Sequence, residues 1–207
     1  LNALSAAIPE GERIVTIEEL GELDLSRAHD HVVRLEARQE NLEGRGEITI
    51  RQLVREALRM RADRIIVGEA RGAEMVDVLQ AMRCGHDGSM TTIHASSAED
   101  LVERAVTIAL FANLGLGDHS VRRMVVDSID LIVLLFRFAD GRRRMTRITE
   151  PYRTADGAIA FNDVFVFEHD GYDANLQAIG DYRAVGQTRF GERFHRLGIP
   201  MPALVGT

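Results

Sequence analysis

Disulfide chemistry is missing from this 207-residue sequence, which holds one cysteine, Cys84. A lone thiol closes no bridge within the chain, so a disulfide-stapled scaffold is excluded and a reducing compartment is the simplest setting. An excess of positive charge is missing too. Lysine and arginine number 25 against 32 acids, a formal net charge of -7. A nucleic-acid binder normally presents a basic face, so no nucleic-acid partner is expected. Long apolar runs are also lacking. The longest, Ile129 to Phe138, is interrupted by Asp130 and Arg137, and a spanning helix needs about 20 apolar residues. With only 4 prolines there is no Pro-rich linker, and no internal repeat or low-complexity tract occurs.

What remains is 45% apolar and 28% charged, enough for one globular α/β domain and a small appendage. Leu1, Leu4 and Ile8 repeat at helical spacing until Pro9 stops them. The chain opens on Leu1, within that helical pattern, and residues are expected to precede it. Ile14 to Ile17 and His31 to Leu35 predict strands. Thr49 is a plausible cap for a helix carrying Leu53, Val54, Ala57, Leu58 and Met60. Arg64 to Val67 predicts a central parallel strand, and Ala73 to Cys84 a helix. Ser89 to His94 is β-prone, and Ser97 stands ready to cap a helix from Ala98 to Phe111.

This alternation predicts an open, mostly parallel sheet covered by helices. Beyond it come a short helix from Val121 to Ser128 and a strand from Leu131 to Phe138. Hairpins turn at Asp140-Gly141 and Asp156-Gly157, joining Arg144 to Thr149 and Ile159 to Phe167. A boundary is placed between 139 and 140. From Glu168 the tail is polar, with Phe190, Phe194, Leu197 and Ile199 able to dock a short helix.

Four features could carry chemistry. Glu18 and Glu19 close the first strand, and open α/β sheets bind ligands at the carboxyl ends of their strands. A carboxylate there can orient water or hold Mg2+ through water; otherwise both are solvated residues past a strand. Arg64 to Val67 runs through Gly68 into Glu69, the Walker B pattern of a rigid strand presenting an acid; the bland alternative is one exposed carboxylate. Gly85-His86-Asp87-Gly88-Ser89-Met90-Thr91-Thr92-Ile93-His94 is the most specific stretch. Its hydroxyls at Ser89, Thr91 and Thr92 can donate to phosphate, and His94 can contact a terminal phosphate or be a satisfied core histidine. The spacing of His86 and His94 matches no zinc motif. Finally, Arg45, Arg51, Arg55, Arg59, Arg61 and Arg64 supply guanidinium forks. Most suit a charged helix face paired with Glu47 and Glu56, and Arg59 and Arg61 are the candidates for phosphate.

Together these motifs resemble the type II/type IV secretion ATPase superfamily, most of all its Tad/Flp pilus-assembly (CpaF-type) branch. The resemblance is carried by Ile14 to Glu19, Asn41-Leu42-Glu43-Gly44-Arg45-Gly46-Glu47, Leu58 to Gly72 and Gly85 to Ala95, and extends to the tail from Tyr182 to Pro202. It implies a RecA-like P-loop NTPase core over residues 1–139 and an appendage of hairpins and tail over 140–207. It implies ATP and Mg2+ as ligands, a homo-hexamer, an inner-membrane pilus or secretion platform protein as partner, and a cytoplasmic position docked at that membrane. It places Glu18 and Glu19 in the acidic box, Glu69 as the Walker B acid and His94 as the His-box histidine, with Glu19 and Glu69 toward the metal. Arg59, Arg61, Thr91 and Thr92 would bind nucleotide. The sequence departs from the family at Glu19, where Asp is usual, at Ala62, where proline is common, and at Cys84, where a small hydroxyl residue is usual.

No G-x-x-x-x-G-K-[ST] loop occurs in the 207 residues, and the family's loop would end just before Leu1. Since that loop supplies most of the triphosphate's binding, this stretch by itself is expected neither to bind ATP well nor to hydrolyse it. Two other readings stay open: a non-catalytic RecA-like module acting in subunit assembly, and a DNA-handling motor, which the acidic charge disfavours.

Overall fold

A computed structural model describes residues 1–113 and 115–200, in two compact units. One comprises residues 1–96 and 100–128, the other 97–99 and the chain from Ile129. The division at Ser128/Ile129 falls before the strand that the sequence assigns to the core. Met201 and Pro202, the end of the tail resemblance, and the rest of the appendage to residue 207 lie outside the described residues.

To Ser128 the chain alternates as expected: α1 (Asn2–Ser5), β1 (Ile14–Glu18), β2 (Val32–Glu36), α2 (Ile50–Ala57), β3 (Arg64–Val67), α3 (Glu74–Arg83), β4 (Met90–Thr91), α4 (Ala98–Phe111) and α5 (Asp118–Ser128). The opening helix is shorter than the Leu1–Ile8 pattern suggests. Ala7 N–H bonds to the Leu4 carbonyl and Ile8 N–H to that of Ser5. These three-residue turns swing Ile8 into the core and leave Leu4 exposed.

The first sheet is parallel throughout, in the order β2-β1-β3-β4. Alternate residues face opposite sides. Val15, Ile17, Ile65 and Val67 meet Ile50, Val54 and Ala57 of α2 and Val78 and Ala81 of α3. Ile14 and Ile66 pack on Ile8, Leu23 and Leu25. With both faces covered, every position favours apolar residues, which is why these strands read as continuous hydrophobic runs. Each fully buried valine, leucine or isoleucine among them contributes about 1.5–3 kcal/mol.

Local chemistry fixes the helices. Thr49 Oγ1 accepts from Gln52 N–H at 3.2 Å, and Gln52 Oε1 accepts from Thr49 N–H at 2.8 Å, a capping box that starts α2. Arg51 and Arg55 of α2 donate to Asp77 of α3 at 2.7 and 2.8 Å, so their partner is Asp77 and not Glu47. At the amino end of β3, Arg64 forks onto Glu12 and its guanidinium lies against Gly88. Gly88 has φ +79°, which suits glycine.

The second unit is an antiparallel meander of β5 (Ile132–Arg137), β6 (Arg143–Arg153), β7 (Ile159–Tyr172) and β8 (Ala178–Ala184), followed by α6 (Gly191–Arg196). Asp140-Gly141 and Asp156-Gly157 form the turns expected of them, but β6 and β7 outrun their sequence limits. Pro151 is tolerated in β6 because β5 ends its pairing at Thr149, so no strand needs the missing N–H. β8 lies in the stretch that reads as polar tail. It joins through backbone pairing to β7 and through Arg183–Glu168 at 2.7 Å.

Two carboxylates, the buried Glu150 and the half-buried Asp140, lock this unit. Glu150 accepts from Asn162 Nδ2 and Arg189 N–H, both at 3.1 Å, and from the Thr188 hydroxyl. Asp140 accepts from Arg144 at 2.8 Å, Arg142 N–H at 2.9 Å and Ala178 N–H at 3.1 Å. The Arg144 guanidinium holds the Asp140 carboxyl far below its ordinary value of 3.8, with the two backbone donors acting in the same sense. The stabilisation is therefore complete above the unfolded carboxyl's pKa and is lost as pH falls through the depressed one. Asp140→Asn should lower the melting temperature at pH 7, and thermal melts of variant and wild type should converge as pH drops below 3.8.

Candidate active site at the carboxyl edge of the parallel sheet

Parallel strands deliver their carboxyl ends to one edge. Gly68 N–H, just past β3, donates to the Ile17 carbonyl of β1 at 2.9 Å. A methyl group on Gly68 would stand 3.1 Å from Glu18 Cγ, so glycine lets the two strand ends close on each other. From β4, Thr92 Oγ1 donates to the Gly68 carbonyl at 2.6 Å, and Ala70 N–H donates to the Thr92 carbonyl at 3.0 Å. These bonds stitch the chain after β4 to the chain after β3.

That stitching carries His94 to Glu69. His94 Nε2 lies 3.2 Å from Glu69 Oε1, and Arg71 Nη2 lies 2.6 Å from Glu69 Oε2. Both oxygens of one carboxylate are thus engaged, one by an imidazole and one by a guanidinium. The loop beneath is pinned, because Glu74 Oε1 accepts from the N–H groups of Arg71 at 2.7 Å and Gly72 at 2.6 Å. The side chains above are not. Glu69 is 25% exposed, Arg71 64% and His94 86%. The Arg71 guanidinium holds the Glu69 carboxyl below the ordinary carboxylate range, partial burial opposes this, and the charge of His94 acts with Arg71. In return Glu69, and secondarily Glu19, raises the pKa of Arg71. An ion pair so open to water adds little to stability.

The other candidates have different surroundings. Glu18 is buried, and its carboxylate accepts from the N–H groups of Glu22 at 3.1 Å and Leu23 at 3.0 Å. It shapes the segment that covers one face of the sheet. Glu19 is exposed at the same edge. Thr91 sits half-buried in β4. The structure does not bring Arg59 and Arg61 to this group. They precede β3, at the sheet's opposite edge, since a four-residue strand carries the chain about 13 Å. Arg59 pairs with Glu56 at 3.1 Å, and Arg61 turns the chain with φ +54°. His86 is also at that far edge, its Nδ1 2.8 Å from the Ala62 carbonyl, so β4 separates it from His94. Among the described residues no group of three or more His, Cys, Asp or Glu is placed to cage a metal ion. The residue that the motifs leave without a role is Arg71; its position two residues after Glu69 is the signal for it.

A family described as "Type II/IV secretion system protein" matches residues 1–161 of the chain. The chain belongs to this family. Among curated members of the type II/IV secretion family, a putative conjugal transfer protein of Mycobacterium tuberculosis is 42% identical over 159 residues, 77% of this chain and 44% of its own length. The type IV secretion system protein PtlH of Bordetella pertussis is 40% identical over 153 residues, 72% of this chain and 44% of its own. The chain therefore spans less than half the length of these relatives. The crystal structure of the VirB11 ATPase from the Brucella suis type IV secretion system, in complex with sulphate, superposes with a TM-score of 0.62 at 30% identity, over 72% of this chain and 44% of that one. The mixed α/β fold with its parallel sheet is that of RecA-like ATPase domains in this family.

The groups at this edge could serve an anion beside a proton acceptor. Arg71 and His94 offer donors, Thr91 a hydroxyl and Glu69 a carboxylate able to take a proton, while the Thr92 hydroxyl is spent on the Gly68 carbonyl. Glu18→Ala should cost about 1–3 kcal/mol by leaving two backbone donors unmet. Glu69→Gln should cost less than about 1 kcal/mol. Urea denaturation of the two variants checks the contrast.

Proposed function

We propose that this chain is part of an ATP-hydrolysing motor subunit of a secretion or pilus-assembly machine, of the Tad/Flp type. The observation that carries the reading is the meeting of Glu69, Arg71 and His94 at the ligand-binding edge of the sheet, in a member of this family. The VirB11 ATPase of Brucella suis in complex with sulphate supports it, sulphate having the tetrahedral shape of a phosphate. The motifs further support a homo-hexameric ring, an inner-membrane platform protein as partner, and a cytoplasmic position docked at that membrane. No helix among the described residues is long and apolar enough to cross a membrane.

In this reading Glu69 orients the attacking water and takes its proton as the water oxygen bonds to the terminal phosphorus and the bond to the ADP oxygen breaks. His94 and Arg71 bind the terminal phosphate oxygens and stabilise their charge. Thr91, at the end of β4, adds a hydroxyl for the nucleotide, and Thr92 holds the loop before Glu69 through the Gly68 carbonyl. Mg2+ takes most of its ligands from phosphate and water and asks the protein for one or two carboxylates. Glu69 and Glu19 fit that modest demand. When bound, the ion neutralises charge on the phosphate oxygens. Arg59 and Arg61, at the far edge, fit a role toward a neighbouring subunit's nucleotide.

In a protein whose phosphate loop precedes Leu1, Glu69→Gln should slow ATP hydrolysis by about 10²–10⁴. Phosphate release in a steady-state assay measures it, and near-normal turnover would defeat the assignment. The 207-residue chain alone should show no turnover above background.

A further inference from the structure

We infer that Glu74 is a positioning residue for Arg71: by holding two consecutive backbone N–H groups, it fixes where the Arg71 guanidinium stands beside Glu69. The inference rests on the reading of this edge as the hydrolytic site, and it names a residue that reading leaves out.

The chain between β3 and α3 is held in two ways. Gly68 N–H bonds to the Ile17 carbonyl and Ala70 N–H to the Thr92 carbonyl, while Thr92 Oγ1 holds the Gly68 carbonyl. These bonds frame Glu69 on both sides. Beyond Ala70 the holding passes to a side chain. The N–H groups of Arg71 and Gly72 both go to one atom, Glu74 Oε1, at 2.7 and 2.6 Å. Successive N–H groups converging in this way form a concave donor pair that favours negative charge, and bonds to an ionised acceptor are the stronger kind. Gly72 leaves the carboxylate room, since a methyl group there would stand 3.0 Å from Glu74 Oε2.

The anchor is itself anchored. Glu74 lies in the first turn of α3, where a negative side chain is favoured. Val78 and Ala81 seat α3 on the sheet. Asp77, buried one turn on, takes Arg51 and Arg55 of α2 at 2.7 and 2.8 Å. The carboxylate at 74 thus passes the position of a packed helix to the backbone of Arg71. From that base the Arg71 side chain reaches back to Glu69 Oε2 at 2.6 Å. Glu74 has no need to touch phosphate to matter. Without it, Arg71 keeps its chemistry and loses its place.

Two measurements test this. The first is amide hydrogen exchange by NMR on the 207-residue chain without nucleotide. Glu74→Ala should speed exchange at Arg71 and Gly72 about ten- to a hundredfold, the worth of a bond to a charged acceptor, and leave Gly68 and Ala70 as in wild type. Glu74→Gln, whose amide oxygen still accepts, should restore most of the protection. No protection at Arg71 and Gly72 in the wild-type chain, or no change there in Glu74→Ala, would overturn the inference. So would equal acceleration at all four amides, which reports general loosening. The second is ATP hydrolysis by a protein whose phosphate loop precedes Leu1. Glu74→Ala should lower kcat about ten- to a hundredfold, the effect of a misplacement near 1 Å, and Glu74→Gln should stay near wild type. Glu74→Ala added to Arg71→Ala should bring no further loss. Losses that multiply would show Glu74 acting elsewhere and overturn its role. The two ideas fail separately. A parent protein without hydrolysis sinks the motor and leaves the exchange pattern to decide what Glu74 holds, whereas a hydrolysing parent with multiplying losses sinks the positioning role alone.

Discussion

The site depends on the parallel register of β1 against β3, Ile14 beside Arg64 through Ile17 beside Val67. Both strands end together, and Gly68, bare of side chain, lets the chain after β3 fold down onto Glu18. Shift the register by one residue and the side chains change faces: Val15 and Ile17 would leave α2 and α3, and Glu69 would point elsewhere. Hydrophobic burial on both faces of the sheet forbids that shift. The placement of one carboxylate is thus secured by apolar residues that never touch it.

Around this rigid frame the polar groups divide into two kinds. Glu18 and Glu74 spend their oxygens on backbone N–H groups and belong to the scaffold. Glu69, Arg71 and His94 spend theirs on one another, in water, where each bond is cheap to exchange. Adjacent carboxylates of similar chemistry therefore have opposite duties, decided by burial: Glu18 is 6% exposed, whereas its neighbour Glu19 faces solvent.

The sheet and the pairing of Glu69 with the stretch ending in His94 were legible because they rest on short-range pattern. β1 and β3 are mostly apolar runs, broken in β1 only by Thr16 before its closing Glu18 and opened in β3 by Arg64, Thr49 and Gln52 spell a helix start, and Asp-Gly pairs mark two hairpins. Four things were not legible, because neither apolar spacing nor motif position encodes them. Leu1, Leu4 and Ile8 have helical spacing, yet two tight turns end α1 at Ser5. β8 alternates poorly, since it is held chiefly by backbone pairing to β7. Glu18 looks like a ligand residue from its place at a strand end, and only the fold of residues 19–25 brings two N–H groups to its oxygens. Arg59 and Arg61 look close to Glu69 in the chain, but a strand between them puts them at the other edge.

Arg64 and Gly88 extend this logic to the opposite edge of the sheet. The guanidinium that forks onto Glu12 fills the space a side chain at position 88 would need. Any larger residue there must evict Arg64 or slide β4, which pairs with β3 through only two residues, Met90 and Thr91. A slip of that short strand would travel along it to Thr92 and drag His94 off Glu69. The glycine thus acts as a spacer whose loss would be felt across the sheet, as lost alignment and not as lost charge.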